Sequence, residues 1–156
     1  MKKTMLGVVA VLTTLSLGIL VVHAANVHLK GALSSTDNGT TDTVCGRLTG
    51  LGNGDLTISL VGSGTRSSSC LNPAGNFAPG NPGEILVSGV TTIPSTEIKN
   101  GNVSFCVTTD QPVCQTAKSC GCPNNNWTAT ITDVAFTSLT LTVEQGGKVV
   151  LQVPVQ

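Results

Sequence analysis

Apolar and polar residues alternate with a period of two through most of the chain beyond residue 25, and no segment there carries a helical stripe. The clearest runs have an apolar residue at every second position: Leu56, Ile58 and Leu60; Val103, Phe105 and Val107; Trp127, Ala129 and Ile131; Leu139, Leu141 and Val143. Threonine and serine fill most of the positions between them. Threonine is β-branched yet polar, which suits the solvent side of a half-buried antiparallel strand. The pattern predicts an all-β protein.

Glycine and asparagine divide these runs, and two of the turns predict a strand register. Asn100-Gly101 is typical of a two-residue hairpin loop, which places Ile98 opposite Val103. Near the C-terminus we predict a three-residue loop over residues 145–147, because that length sets Leu141 opposite Leu151 and matches the apolar faces.

Many short strands joined by turns and a few long loops are typical of an antiparallel β-sandwich, Ig-like or Greek-key, with about seven to nine strands. A closed β-barrel is the alternative. We divide the chain into a signal peptide at residues 1–24, an N-terminal strand and flexible tether at residues 25–43, and a disulfide-stapled sandwich domain at residues 44–156.

The first residues predict export from the cell. Lys2 and Lys3 precede an apolar run from Met5 to Val22, and Val22-His23-Ala24 ends it with small residues at the two positions that a signal peptidase reads. We therefore predict cleavage after Ala24, a secreted bacterial protein, and no membrane insertion after cleavage. An uncleaved membrane anchor is the alternative, because the run approaches the length of a spanning helix.

The segment after the signal predicts a short strand on a tether. Val27, Leu29 and Leu33 alternate with other residues, whereas residues 34–43 contain no large apolar side chain. Such a strand can pair with its own domain or with the open edge of another subunit. The lightly charged C-terminal strand, residues 149–153, is the edge that we expect it to cover. We favour coverage within one chain over exchange between subunits.

Charge excludes several kinds of partner. Charged residues make up 10% of the chain and the formal net charge is zero. Loss of Lys2 and Lys3 would leave six basic against eight acidic residues, and the basic ones are scattered singly. Nucleic acids and anionic membranes require clustered basic residues, so we predict neither as a partner. The partner is unknown; the candidates are a second copy of the chain, in a homo-oligomer or fibre, or a cell-surface component.

Six cysteines follow the predicted cleavage site. They are Cys45, Cys70, Cys106, Cys114, Cys120 and Cys122. An even number in an oxidising compartment predicts up to three disulfides, with the pairing left open. A zinc site in the cluster from Cys114 to Cys122 is the alternative, but no histidine lies near it and the Cys-x-Cys spacing is unusual for zinc. We predict no metal and no cofactor.

Two segments carry a resemblance to other proteins. Residues 70–76 (CLNPAGN) and 122–128 (CPNNNWT), the latter running on to ITDV at 131–134, resemble a group of small secreted bacterial all-β proteins with C-x-N-P-x-G-N and C-P-N-x-x-W blocks. The group is uncharacterised, so the resemblance implies a secreted all-β protein and transfers no activity. Cys106 and Cys114 lie outside the shared pattern, which implies that they pair with each other.

Reactive side chains are sparse beyond the signal. His28 is the one histidine there, and we expect a solvent-facing strand residue rather than a catalytic base. The eight carboxylic acids are dispersed and show no pairing typical of acid–base catalysis. We therefore predict no catalytic residue and a protein that is not an enzyme.

Two long loops remain as candidates for binding. One spans residues 71–83 and the other, rich in cysteine, spans residues 110–126. Loops on a rigid scaffold often carry function, although we favour the simpler interpretation that these are stapled crossovers between sheets. The possible binding residues in the first loop are Asn72, Pro73, Phe77, Pro79 and Pro82. Phe77 is the one aromatic residue that this loop could display at the surface, and the alternative is that it plugs the end of the sandwich. We expect Phe105, Trp127 and Phe136 in the core.

These observations favour a secreted, non-catalytic β-sandwich that acts as a cell-envelope, matrix or binding module. The alternatives, in order, are an extracellular fibre subunit assembled by N-terminal strand exchange, a carbohydrate-binding module, and an enzyme.

Overall fold

The computed structural model describes residues 26–155, which form an all-β fold of nine strands in two antiparallel sheets with three disulfides. The strands are β1 (His28–Leu29), β2 (Ser34–Asp37), β3 (Asp42–Thr49), β4 (Leu56–Leu71), β5 (Phe77–Pro79), β6 (Gly83–Ile93), β7 (Val103–Thr108), β8 (Thr128–Gln145) and β9 (Lys148–Val155). Two short 3₁₀ turns, Ser95–Glu97 and Lys118–Cys120, are the helical elements in this part of the chain. The predicted signal peptide, residues 1–24, lies outside the described residues.

The first sheet is built around β3, which pairs with β1 and β2 along one edge and with β7 along the other. The second sheet is built around β4 and β8, the two longest strands, which pair along their whole length. The other edge of β4 pairs with β6 and then β5, and the other edge of β8 pairs with β9.

The predicted alternation places one face of each sheet in a shared core. Fully or nearly fully buried side chains come from β3 and β7 in the first sheet and from β4, β6 and β8 in the second, and partly buried residues of β9 pack against them. The main buried set is Val44, Leu48, Leu56, Ile58, Leu60, Phe105, Val107, Leu141 and Val143. The two sheets approach each other closely at Gly89 of β6 and Thr108 of β7. A Cβ atom on Gly89 would overlap the carbonyl oxygen of Thr108, so only glycine fits there.

The prediction of a flexible tether over residues 34–43 is wrong. Residues 34–37 form β2, whose four residues pair with β3 from Cys45 back to Asp42. β2 is ordered without large apolar side chains. Its backbone pairs with β3, and the Ser35 hydroxyl also donates to the Asp42 carboxylate at 2.7 Å. The first strand also pairs with β3, and the outer edge of β9, which we expected it to cover, has no partner strand in the described part of the chain.

The two predicted turns have different outcomes. The Asn100-Gly101 hairpin is confirmed, with both residues at positive φ and Lys99 paired with Asn102. The three-residue loop at residues 145–147 is wrong, because Gln145 pairs with Lys148 across a two-residue glycine loop. A β-bulge one pair further on then leaves Val150 unpaired. The bulge restores the apolar faces that the longer loop was expected to match.

The disulfides join Cys45 to Cys106, Cys70 to Cys122 and Cys114 to Cys120. The pairing of Cys106 with Cys114, which the resemblance implied, is therefore wrong. Cys45 and Cys106 are directly opposite each other on β3 and β7, with their Cα atoms 4.1 Å apart, so the strand register itself brings them together.

Between residues 26 and 155 there is no helix with the length and apolar character needed to cross a membrane.

Candidate functional site

The two long loops meet at one end of the second sheet, where β4 ends and β8 begins. We call residues 72–83 the proline loop and residues 109–127 the cysteine loop. Cys70, just before the proline loop, is bonded to Cys122 in the cysteine loop, and the Cys114–Cys120 bond closes a smaller ring inside the cysteine loop. Both disulfides therefore restrain the same end of the molecule, here called the stapled end.

Direct contacts also lock the two loops to each other. The backbone N–H of Asn81 donates to the Gly121 carbonyl at 3.0 Å, and the Ser68 hydroxyl on β4 donates to the Cys120 carbonyl at 2.5 Å. Gly121 has φ +86°, and a Cβ atom there would overlap the backbone of Asn81. The close approach of the loops thus depends on glycine at this position.

Arg66 lies at the centre of the stapled end, on the core-facing side of β4. Its side chain is 9% exposed, and the guanidinium donates to the Ser119 carbonyl at 2.6 Å and to the Asn81 carbonyl at 3.3 Å. The guanidinium also donates to the hydroxyl of Ser68, on the same strand, at 3.3 Å. The guanidinium passes over Gly83, where a Cβ atom would approach Nη2 to 2.8 Å. Arg66 therefore links β4 to both loops.

Arg66 also lines a cavity of about 280 Å³ that opens at the edge of β6. Its walls come from Ile85 and Leu86 on β6, from Pro112 and Val113 in the cysteine loop, and from Ile131 on β8. Glu84, Gln115, Ser119 and the Cys114–Cys120 disulfide complete the lining. The site thus combines one buried cation and one exposed acidic side chain with apolar and polar side chains from several elements.

The residues predicted in the proline loop do not line this cavity. Asn72 organises a turn instead: its carboxamide oxygen accepts the N–H of Asn76 at 2.8 Å, and its backbone carbonyl accepts the N–H of Gly75 at 2.9 Å. Pro73, Pro79 and Pro82 are exposed, and Pro79 belongs to β5. The structure therefore gives these residues a place in the loop framework, and the predicted set missed Arg66.

Phe105 lies in the core as predicted, Trp127 and Phe136 are only half-buried, and Phe77 lies at the surface and does not plug the sandwich. Phe77 is 75% exposed and Phe105 is 5% exposed. Trp127 and Phe136 are half-buried and pack against small clusters around the disulfides and the inner face of β8. His28 is exposed on β1, as predicted, with Nδ1 2.8 Å from the carbonyl oxygen of Asn26.

The cysteine cluster does not offer a metal site. Cys114, Cys120 and Cys122 are all oxidised, so none of them supplies the thiolate that zinc binding requires. Across residues 26–155, no group of three or more histidine, cysteine or acidic side chains has the proximity needed to hold a metal ion.

Sequence reasoning missed Arg66 because a single arginine within a serine-rich strand gives only a weak signal. One hint is its position: the alternation that places Leu56, Ile58 and Leu60 inside continues to residue 66, so an arginine on the buried face is anomalous. Comparison with known proteins adds no assignment, since no protein-family model and no curated protein matches the chain.

Proposed function

We propose that this protein is a secreted, non-catalytic β-sandwich that binds a ligand at its stapled end, in the cavity between the cysteine loop and β6. The sandwich assignment is supported by the shared core, to which both sheets contribute one apolar face, and by the close crossing of Gly89 and Thr108. Secretion is supported by the signal-like first 24 residues and by three disulfides, which persist in oxidising compartments.

The observation that carries the binding proposal is a buried arginine at the wall of an open cavity. Burial of a charged group is costly unless other groups compensate it, and natural cores rarely hold arginine without a partner. Two disulfides and the contacts between Asn81 and Gly121 hold the surrounding loops in place. Binding pockets are usually concave and combine apolar side chains with a few polar groups that orient the ligand, and this cavity offers both kinds of side chain.

Chemical-shift mapping tests this proposal. The purified, oxidised and ¹⁵N-labelled protein is titrated with separate mixtures of short carboxylic acids, peptides and oligosaccharides, and the backbone amide signals are followed. We expect at least one mixture to shift amides of residues 81–86 and 112–120. The Asn100-Gly101 hairpin, at the opposite end of β4, is the internal control and should not move.

Shifts centred on that hairpin or on the outer edge of β9 would contradict the proposed site. The absence of any shift from all three mixtures would contradict a binding function for these ligand classes.

A second candidate, the fibre subunit, is favoured by one observation. The outer edge of β9 has no partner strand in the described part of the chain, and exposed edges of this kind pair readily with other chains. Exchange of the N-terminal strand would require release of β1 and β2 from β3. Sedimentation velocity over a range of protein concentrations distinguishes the two: a binding module stays monomeric, and a fibre subunit forms large multimers.

A further inference from the structure

We infer that the cavity beside Arg66 binds a carboxylate carried on a short apolar group. The inference rests on the proposed function, because it names the ligand class of the same site. A free short-chain fatty acid and the C-terminal residue of a peptide share this chemistry, and the experiment below separates them.

The first step is the charge of Arg66. Its protein partners are two backbone carbonyls and one hydroxyl, which orient the guanidinium but carry no net charge. None of these described partners is a carboxylate, and no buried side-chain nitrogen or oxygen of the described residues lacks a hydrogen-bond partner. The guanidinium cation therefore has only neutral groups as its described partners. An anion in the cavity would supply the missing charge.

The second step is the number of hydrogen bonds. A guanidinium has five N–H donors, and the described partners of Arg66 take three of them, two at Nη1 and one at Nη2. Nε–H and one Nη2–H therefore have no acceptor among the described residues. Two adjacent donors match the two oxygens of a carboxylate, which arginine commonly binds in this bidentate way.

The third step is the character of the walls. Leu86 is 81% exposed and Val113 is 78% exposed, although both are large apolar residues at the rim of the cavity. Ile85 is half-buried and Ile131 is 7% exposed further in. An apolar chain attached to the carboxylate would cover these side chains and remove their apolar surface from water.

The single buried cation of the cavity favours a singly charged ligand. Glu84 also lines the cavity, but its side chain is exposed, so its charge is well screened. One guanidinium matches a ligand with a single negative charge better than a phosphate, which carries more charge and offers no apolar surface. A short-chain carboxylate satisfies both the charge and the walls.

Isothermal titration calorimetry at low salt and pH 7 tests the inference with matched ligands. Hexanoate is compared with hexanamide, and the peptide Ac-Ala-Ala-Val with a free carboxylate is compared with its C-terminal amide. We expect at least one carboxylate to bind and its amide to bind at least about tenfold more weakly, because charge-assisted hydrogen bonds are the stronger kind. Binding of hexanoate alone identifies a free acid as the ligand, and binding of the peptide alone identifies a C-terminus.

Two arginine variants test the residue. Arg66→Lys keeps the charge but loses the paired donors, and we expect it to weaken carboxylate binding by about tenfold or more. Arg47→Lys is the matched control, since Arg47 is exposed on β3 and lines none of this cavity; its affinity should equal that of the wild type. Thermal unfolding of each variant verifies that it is folded at the temperature of the titration.

Glu84→Gln tests the possibility that Glu84 is itself the partner of Arg66. We expect its affinity to stay within about threefold of the wild type, because an exposed charge is well screened. A gain of about tenfold or more would mean that Glu84 occupies the site, and would overturn the inference.

Equal binding of acid and amide, or no binding of either carboxylate by the wild type, would also overturn it. These outcomes leave the proposed function standing if another mixture shifts residues 81–86 and 112–120 in the mapping experiment. The proposed function fails separately if every shift lies elsewhere. The wild-type comparison of acid with amide remains decisive even if Arg66→Lys fails to fold.

Discussion

We predict that the Cys45–Cys106 disulfide contributes more to stability, and that the Cys114–Cys120 disulfide contributes more to ligand binding. We consider two double variants, Cys114→Ala with Cys120→Ala and Cys45→Ala with Cys106→Ala. The first removes a bond that lines the proposed cavity, and the second removes a bond between β3 and β7 that does not line it. Each variant is therefore the control for the other.

The expected stabilities follow from the sequence separation of the bonded residues, which is 6 for Cys114–Cys120 and 61 for Cys45–Cys106. In the chain-entropy account, the loss of the short bond costs about 2 kcal/mol and the loss of the long bond about 4 kcal/mol. Cys120 is 2% exposed, so its truncation adds a packing loss of up to about 1 kcal/mol to the first value. The variant without Cys45–Cys106 should still be the less stable one.

Urea unfolding followed by the fluorescence of Trp127 measures these values. Trp127 is the single tryptophan, and it packs against Cys70 and Cys122, so its emission reports on loss of the fold at the stapled end. Binding of hexanoate is then measured below the unfolding transition of each variant. We expect the variant without Cys114–Cys120 to lose most of its affinity, and the variant without Cys45–Cys106 to keep it.

Two results would refute this reasoning. If removal of Cys114–Cys120 destabilises the protein more than removal of Cys45–Cys106, loop closure does not govern the stabilities. If the folded variant without Cys114–Cys120 binds as tightly as the wild type, the ring that it closes does not shape the site.

Three further predictions concern the loops and the N-terminus. Gly121→Ala should lower the free energy of unfolding by more than Gly75→Ala, because both have positive φ but a Cβ atom on Gly75 meets nothing within 4 Å; equal losses in chemical denaturation would contradict a clash with the proline loop. The N–H of Ser95, with some help from its hydroxyl, lowers the pKa of Asp55 below 3.8, so the stabilising effect of the ionised carboxylate is present at neutral pH and is lost as the pH falls through that lowered pKa. The difference in Tm between the wild type and Asp55→Asn should therefore shrink below about pH 4, and a difference that grows in acid would be contrary to this. Deletion of residues 26–33, which removes buried Val27 and β1, should destabilise a monomer that stays monomeric; unchanged stability with loss of multimers would instead indicate strand exchange.

The strands were predictable because the alternation of apolar and polar residues recurs along the chain. Each of the runs at Leu56, Val103 and Leu139 places several apolar residues on one face, and burial of that face is the main free-energy gain of the fold. The Asn100-Gly101 turn was equally clear, since both of its residues readily adopt the positive φ that a tight hairpin loop requires.

The register at the C-terminus was not predictable from apolar matching alone. A longer loop and a shorter loop with a bulge both restore the match between Leu141 and the apolar face of β9. The two glycines at residues 146 and 147, at φ +59° and +76°, suit the tight two-residue turn. A bulge at Val150 then costs one unpaired residue and leaves the faces matched.

Two other features depend on contacts between distant segments. β2 is polar, and it is held by pairing with β3 and by the bond from Ser35 to Asp42, so its composition resembled a linker. The role of Arg66 depends on the carbonyls of Asn81 and Ser119, which approach it only after the loops are folded. A sequence pattern records periodicity along the chain, and it carries no such information.

The most direct test of the proposed site is the NMR spectrum of the arginine Nε–H groups. The described chain contains two arginines, the buried Arg66 and the exposed Arg47, so one spectrum holds both the site and its internal reference. The measurement is made on the oxidised protein at about pH 6, where hexanoate is ionised. Hexanoate should move the Arg66 signal and leave Arg47 in place, and hexanamide should move neither. An unmoved Arg66 signal at saturating hexanoate, or equal movement of both signals, would contradict a carboxylate site at Arg66.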